Sequence, residues 1–276
     1  MHRLSIVTIH YHCADVLQGL LDSAQTLGPL PEVEWIIIDH SPEVPPLSER
    51  LRFPGNLDSV RVIENSQQKG FGDGCNRGAR NSDGEVLFFL NPDCRFQGGS
   101  ILHCVDRLLK EEKTGALSPL LMTPKGRPEF SFNRFPGLLS EARLRSERIL
   151  GDRFAFVQRA INRRFKEPRW VDWVTGGALF TRRETFFQVG GFDEEFFLYF
   201  EDSDLCKRMH DAGYRVGFDP GFTLIHDHGH GGSTKVPKGK PRVYRLSQLR
   251  YYQKHKTSFQ RTMLKTYLQV SGRYPA

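Results

Sequence analysis

The alternation of element types in the N-terminal third constrains this chain most. "LSIVTIHYH" (4–12), "VEWIIIDHS" (33–41), "SVRVIENS" (59–66) and "GEVLFFLNPDC" (84–94) are short, almost unbroken apolar runs. Between them, "ADVLQGLLDSAQTL" (14–27) places Val16, Leu17, Leu20, Leu21, Ala24 and Leu27 at helical spacing. "GFGDGCNRGARNS" (70–82) runs from a glycine-punctuated turn into a helix, and "GGSILHCVDRLLKEE" (98–112) resumes the helical period. Continuous apolar strands alternating with helices predict an α/β fold, a mostly parallel central sheet with helices on both faces. In such sheets a ligand binds beyond the carboxyl ends of the strands. Thr8, Tyr11, Asp39, Asn65 and Asp93 stand where their apolar runs give out. A lone Asp after a strand is ordinarily a turn residue, whereas several acid and amide groups at strand exits point to a shared site. Asp93, in Asn91-Pro92-Asp93, either caps a turn or holds a metal.

Past residue 115 the regularity fades. "PKGRPEFSFNRFPG" (124–137) reads as loop, and "LLSEARLRSERILGDRFAFVQRAINRRF" (138–165) as basic helix interrupted near Gly151. "GALFT" is a strand core followed by a short helix, 194–214 opens with aromatics and continues as helix, and 215–233 brings two short strands. The final 40 residues are basic with interleaved aromatics. With 276 residues the chain is long enough for one large domain or two small ones. No apolar run approaches the ~20 residues that span a bilayer. The N-terminus enters a strand pattern at once, without a signal-peptide layout, and the five cysteines are scattered without a CxxC pair. Both features predict a cytoplasmic protein with reduced thiols. The net charge of +7 favours an anionic partner.

Two further groups could carry chemistry. Glu201, Asp202 and Asp204 crowd the start of a helix, where negative charge suits the dipole. They follow the aromatic run 196–200, too apolar for a solvated loop, so burial is expected to raise a carboxylate's pKa and make it a better base. His226, His228 and His230 alternate in "IHDHGHGGS", a pattern equally open to a metal site and to a polar turn. One carboxylate does not hold Mg²⁺ or Mn²⁺ alone, but Asp93, a histidine and a diphosphate would.

The order of these motifs resembles a family 2 glycosyltransferase with the GT-A fold, in its bacterial rhamnosyltransferase-like subgroup. The resemblance covers residues 3 to 233 and rests on "SIVTIHYH", "IIIDHS", "ENSQQKGFGDGCNRGAR", "LFFLNPDC", "HDHGHGGS" and, most specifically, the stretch from Val174 to Val216. It implies a catalytic domain over 1–233, with a donor half to about 115 and an acceptor half after it, and a basic helical extension over 234–276. It implies that Thr8, Tyr11 and Asp39 line the pocket for base and ribose, that Asn65, Gly70 and Phe71 border the donor, and that Asn76 and Arg77 lie on the following helix. Asn91 and Asp93 occupy the family's DxD position, Asp93 binding the metal, Mn²⁺ or Mg²⁺, with His228 or His226. Asp202, paired with Glu201, matches the general base, and Trp173, Gly176, Gly177 and Asp204 are assigned to the acceptor. Asn in the first DxD position removes one carboxylate, and His40-Ser41-Pro42 departs from the usual residues after the second-strand Asp.

The implied reaction is inverting displacement at the anomeric carbon of a nucleotide-diphosphate sugar, best dTDP-L-rhamnose, by a hydroxyl of a glycan or lipid-linked glycan. UDP-hexoses and UDP-galactofuranose are the alternative donors. The basic stretch 242–268 carries Leu246, Leu249, Tyr252, Phe259, Met263 and Tyr267 among Lys and Arg, and suits an anionic membrane surface on the inner face of the cell membrane. The other reading is that these aromatics pack on the catalytic domain. Rival functions fare worse. A nucleotidyltransferase would carry a basic Gly-rich loop after the first strand, which "IHYHCADV" lacks. A metallophosphoesterase needs more Asp and His ligands. A basic nucleic-acid-binding protein is the alternative from another class, but no nucleic-acid module is recognisable.

Overall fold

The structure, a computed structural model, describes residues 2–65, 67, 69–227 and 240–275. The first half runs β1 (Leu4–His10), α1 (Ala14–Ala24), β2 (Leu30–Asp39), α2 (Leu47–Arg50), β3 (Leu57–Glu64), α3 (Phe71–Arg80), β4 (Val86–Leu90), β5 (Cys94–Gly99) and α4 (Ile101–Lys110). The second runs β6 (Thr114–Met122), β7 (Phe132–Asn133), α5 (Leu138–Arg153), α6 (Ala155–Arg163), β8 (Arg169–Val171), β9 (Trp173–Val174), β10 (Ala178–Arg182), α7 (Arg183–Gln188), α8 (Glu201–Asp211), β11 (Arg215–His226), α9 (Lys240–His255) and α10 (Ser258–Val270).

The main sheet has the order β3-β2-β1-β4-β10-β6-β11-β5, with β8 beside β11. β1 pairs in parallel with β2 and β4, β2 with β3, and β6 with β11, while β10 and β5 run antiparallel to their neighbours. Both faces are covered, because each strand sends alternate side chains to opposite layers. Trp35 and Ile37 join Leu17, Leu20 and Phe88 on one side, and Ile36 and Ile38 join Cys75, Phe89 and Leu205 on the other.

Strands β6, β7 and β8 and the short α2 were not expected, and three further elements differ from expectation. The stretch from 215 to 226 is one strand rather than two, its register slipping between Asp219 and Thr223 around Pro220, which has no amide hydrogen to give the ladder. The break in the basic helix falls at Phe154, where the backbone is extended, and Gly151 stays helical. β5, unforeseen in the sequence, turns back antiparallel straight after Asp93. The C-terminal helices share a third apolar cluster with the segment before α8: Phe196 and Phe200 pack with Tyr251, Tyr252, Leu264 and Leu268. Tyr252 is therefore core, while Leu246, Phe259, Met263 and Tyr267 are exposed. Among the described residues no helix is long and apolar enough to cross a membrane.

Candidate active site

Strand pairing draws distant motifs into one cleft of about 380 Å³. β4 lies antiparallel to β10, which brings Asn91, just past β4, to the turn preceding Ala178; the Asn91 amide donates to the Gly177 carbonyl at 2.8 Å. The next residue back, Gly176, donates its amide to Asp202 Oδ2 at 3.1 Å. A Cβ on Gly176 would lie 3.1 Å from the Phe71 ring and 3.4 Å from Asp202 Cβ, so a side chain there would crowd both. On the other side β5 pairs with β11 so that Cys94 faces His226, and the Asp227 amide donates to the Asp93 carbonyl at 2.9 Å. Asn91, Asp93, Gly176, Gly177, Glu201, Asp202 and His226 thus line the same cleft, with Phe71 and Trp173.

Asp93 and His226 form the candidate metal centre. His226 Nε2 lies 3.2 Å from Asp93 Oδ1, and Nδ1 lies 2.8 Å from Glu129 Oε2. Burial disfavours a charged ring, but the two carboxylates outweigh it and raise the imidazole to about 10. Asp93 Oδ1 is buried and makes no aligned hydrogen bond. A buried acceptor needs something positive to meet it, and here the His226 ring, 3.2 Å away, does so. A divalent cation in place of the Nε2 proton fits that requirement, and Glu129 on Nδ1 then fixes the ring's tautomer, the usual arrangement behind a metal-bound histidine. Cys94 Sγ is close to both groups, but burial pushes its thiol well up and it faces the Gly177 carbonyl at 3.8 Å. It remains a neutral thiol, and the donor set is oxygen and imidazole, suited to Mn²⁺ or Mg²⁺. His228, the other expected ligand, lies outside the described residues.

Glu201 and Asp202 open α8 in different surroundings. Glu201 is buried, its Oε2 has no hydrogen-bond partner, and burial beside Asp202 pushes its carboxyl well above the usual range. Burial raises Asp202 too, but it accepts from the Gly176 amide and, through Oδ1, from the Ser203 amide at 2.6 Å. Amide donors favour the charged form, so of the two Asp202 ionises first and Glu201 holds its proton to higher pH. The backbone leading into α8 is left-handed at two successive non-glycine residues, Tyr199 (φ 71°) and Phe200 (φ 69°). Such conformations cost about 1–3 kcal/mol each and persist where surrounding contacts impose them. Those contacts are the Phe71 amide on the Phe197 carbonyl at 3.0 Å and Ser247 Oγ on the Leu198 carbonyl at 2.8 Å. Gly70 permits the first: its φ is +118°, and a Cβ would fall 2.3 Å from the Phe197 carbonyl oxygen.

Several expected site residues are placed elsewhere. Thr8 is fully buried and its Oγ1 accepts from Trp35 Nε1 at 2.9 Å, because the indole N–H needs a partner in the core. Asn76 is spent on Phe192, through both its amide and carbonyl groups, and on Glu194. Asp204 faces away from the cleft into ion pairs with Arg208, Lys254 and His255; burial opposes its ionisation, yet these partners hold the carboxyl down at about 2. It anchors α9 to α8 and does not line the cleft. Asp39 accepts from Ser41 and pairs with His10, Asn65 bonds Asp73, and Tyr11 packs edge-on to His12, all outside the cleft lining. The cleft contains residues the sequence did not announce. Glu129 comes from a loop with no periodicity, and Ser140, Glu141 and Leu144 come from α5. Burial pushes the Glu141 carboxyl up, although it accepts from Gln248 at 2.7 Å.

Comparison with known proteins gives the family and the fold. The family model described as "Glycosyl transferase family 2" matches residues 5–184, and one described as "N-terminal domain of galactosyltransferase" matches 158–230. The chain is 29% identical over 245 residues to an N-acetylglucosaminyl-diphospho-decaprenol L-rhamnosyltransferase of Mycobacterium tuberculosis, covering 82% of this chain and 76% of that one. It is 31% identical over 157 residues to the rhamnosyltransferase WbbL of Escherichia coli, covering 53% and 54%. Among solved structures, a Pyrobaculum calidifontis mannosyltransferase in complex with GDP-Man and Mn²⁺ superposes with a TM-score of 0.54 at 16% identity, covering 90% of this chain and 61% of that one. GalNAc-T7 with UDP, GalNAc and Mn²⁺ gives 0.58 at 18%, covering 90% and 48%. The chain therefore spans about half to three fifths of those two structures, and what it shares with them is the GT-A fold.

Proposed function

The chain belongs to glycosyltransferase family 2, and we propose that it transfers a sugar with inversion from a nucleotide-diphosphate donor to a hydroxyl of a glycan or lipid-linked glycan in cell-surface polysaccharide synthesis. L-Rhamnose from dTDP-L-rhamnose is the donor favoured by the names of its relatives. The observation that carries the proposal is Asp202, ionisable at the cleft and oriented by two backbone amides, with Asp93 and His226 lining the same cleft.

Asp202 accepts the acceptor's hydroxyl proton as that oxygen bonds to the anomeric carbon. The bond to the donor's diphosphate breaks with its electron pair leaving on the diphosphate, so one displacement inverts the centre. Proton transfer of this kind contributes ~10²–10⁴ in rate. Glu201, holding its proton to higher pH, leaves Asp202 as the first negative charge at the start of α8 in the cleft. Asp93 and His226 would hold a divalent cation, which would supply charge neutralisation at the diphosphate. Gly176 leaves room for the acceptor beside Asp202, and Trp173 and Glu141 form the wall around it. The galactosyltransferase match over 158–230 favours a second reading, in which the donor is a UDP-hexose or UDP-galactofuranose.

The test is transfer from dTDP-L-rhamnose and from UDP-sugars to a polyprenyl-diphosphate-linked N-acetylglucosamine, with the product's anomeric configuration read by NMR. The proposal expects inverted product from one donor. A product of retained configuration would contradict it.

A further inference from the structure

Helix α5 is the wall between the cleft and the outside. Ser140, Glu141 and Leu144 line the cleft. A helix turning once per ~3.6 residues puts Leu139, Ala142, Ser146, Ile149 and Leu150 on the opposite side. That side is exposed where it is most apolar: Leu139 is 88% exposed and Ile149 57%. The stripe continues past the bend at Phe154 onto α6, where Phe156 is 66% exposed. Apolar side chains left out this way are not spaced to meet the protein's own core.

The charge on these helices is also unspent. Residues 138–166 carry eight Lys or Arg against Glu141, Glu147 and Asp152. Glu147 pairs with Arg143 and Arg164, and Asp152 with Arg127, which leaves Arg145, Arg148, Arg153, Arg159, Arg163 and Lys166 without a carboxylate partner among the described residues. The equally basic α9 differs: Arg250 and Lys254 pair with Asp193, Glu195 and Asp204 of the catalytic segment. Basic composition there holds the fold together. On α5–α6 it faces solvent beside exposed Leu, Ile and Phe, the pattern of a helix lying in a membrane interface.

We infer that the outer face of α5–α6 seats the protein on an anionic lipid bilayer, so that the cleft behind α5 opens at the membrane surface. The inference rests on the proposed function only for its purpose, delivery of a lipid-linked acceptor to Asp202; lipid binding itself is measured without any sugar. Leu139, Ile149, Leu150 and Phe156 enter the acyl boundary, while the unpaired arginines meet anionic headgroups.

The experiment is co-sedimentation of the full chain with phosphatidylglycerol/phosphatidylcholine vesicles and with phosphatidylcholine alone. The expected result is binding at least about tenfold stronger to the anionic vesicles, weakened by salt and lowered about tenfold by Leu150→Ser with Phe156→Ser. An Arg153→Gln, Arg159→Gln pair should lose the preference for anionic lipid while keeping the same unfolding midpoint. Phe259→Ser with Met263→Ser on α10, whose stripe has only Arg261 and Lys265 beside it, should leave binding within about twofold. Equal binding to both vesicle types, loss of binding in the α10 pair instead, or sedimentation of wild type without vesicles through self-association at this face would each overturn the inference. dTDP binding, measured on the same samples, reports on the proposed function separately: its absence in wild type would count against the donor assignment and leave the lipid result standing.

Discussion

Glu201 and Asp202 are adjacent in sequence, and their difference is one of hydrogen bonding. Amides of Gly176 and Ser203 reach Asp202, while Glu201 keeps an oxygen without a partner. Two predictions belong here. Asp202→Asn keeps the shape and removes the proposed base, so turnover should fall by ~10²–10⁴ while donor affinity stays unchanged by calorimetry. Since burial raises Asp202 and the ionised form is the working one, kcat should rise with pH through a midpoint above the ordinary Asp value of 3.8. A pH–rate profile flat down to that value would argue against the assignment. These acids were legible in the sequence as a cluster behind an aromatic run, and so was Asp93 at a strand exit. Glu129 was not, because its role depends on a loop meeting β11, and no local pattern encodes that meeting. Thr8 misled for a related reason: a polar residue near a strand end looks available until Trp35 is seen to need it.

Between elements, Asp204 couples α8 to α9. Its carboxylate is buried among Arg208, Lys254 and His255, so Asp204→Ala should cost about 3–5 kcal/mol by leaving Arg208 without its carboxylate and breaking the other two contacts, measurable as a lowered denaturation midpoint. The pH dependence has a definite sign. Its folded pKa is depressed to about 2 from 3.8, so its contribution is present in full above the unfolded value and is lost as pH falls through that window. The wild-type stability curve should therefore lose between pH 4 and 2 a component that the Asp204→Ala curve lacks. Helices α1 and α4 were readable from apolar spacing, as were strands β1 to β4 from their continuous apolar runs. β5 was not: "CRFQGG" has little apolar content, and its strand character comes from pairing with β11. That pairing sets Asp93 beside His226.

At the scale of the molecule, the third apolar cluster joins the C-terminal helices to the segment that presents Asp202. Ser247 also holds the left-handed turn before α8 through the Leu198 carbonyl. A chain ending at residue 233 would expose Phe196 and Phe200 and leave Asp204 with fewer cations. Expressed alone, it should be recovered as aggregate or unfold without a cooperative transition. The basic composition of the C-terminal region was evident from the sequence, but not its destination, since surface-seeking and acid-pairing cations look alike until the acids are placed.

The central claim is that Asp93 and His226 hold the metal that binds the donor diphosphate. Calorimetric titration of dTDP-L-rhamnose into the wild-type chain and into Asp93→Ala, each with and without Mn²⁺, tests it most directly. The account predicts Mn²⁺-dependent binding to the wild type, weakened at least about tenfold in Asp93→Ala and insensitive there to added Mn²⁺. Binding of equal strength with and without the metal, unchanged in Asp93→Ala, would contradict it.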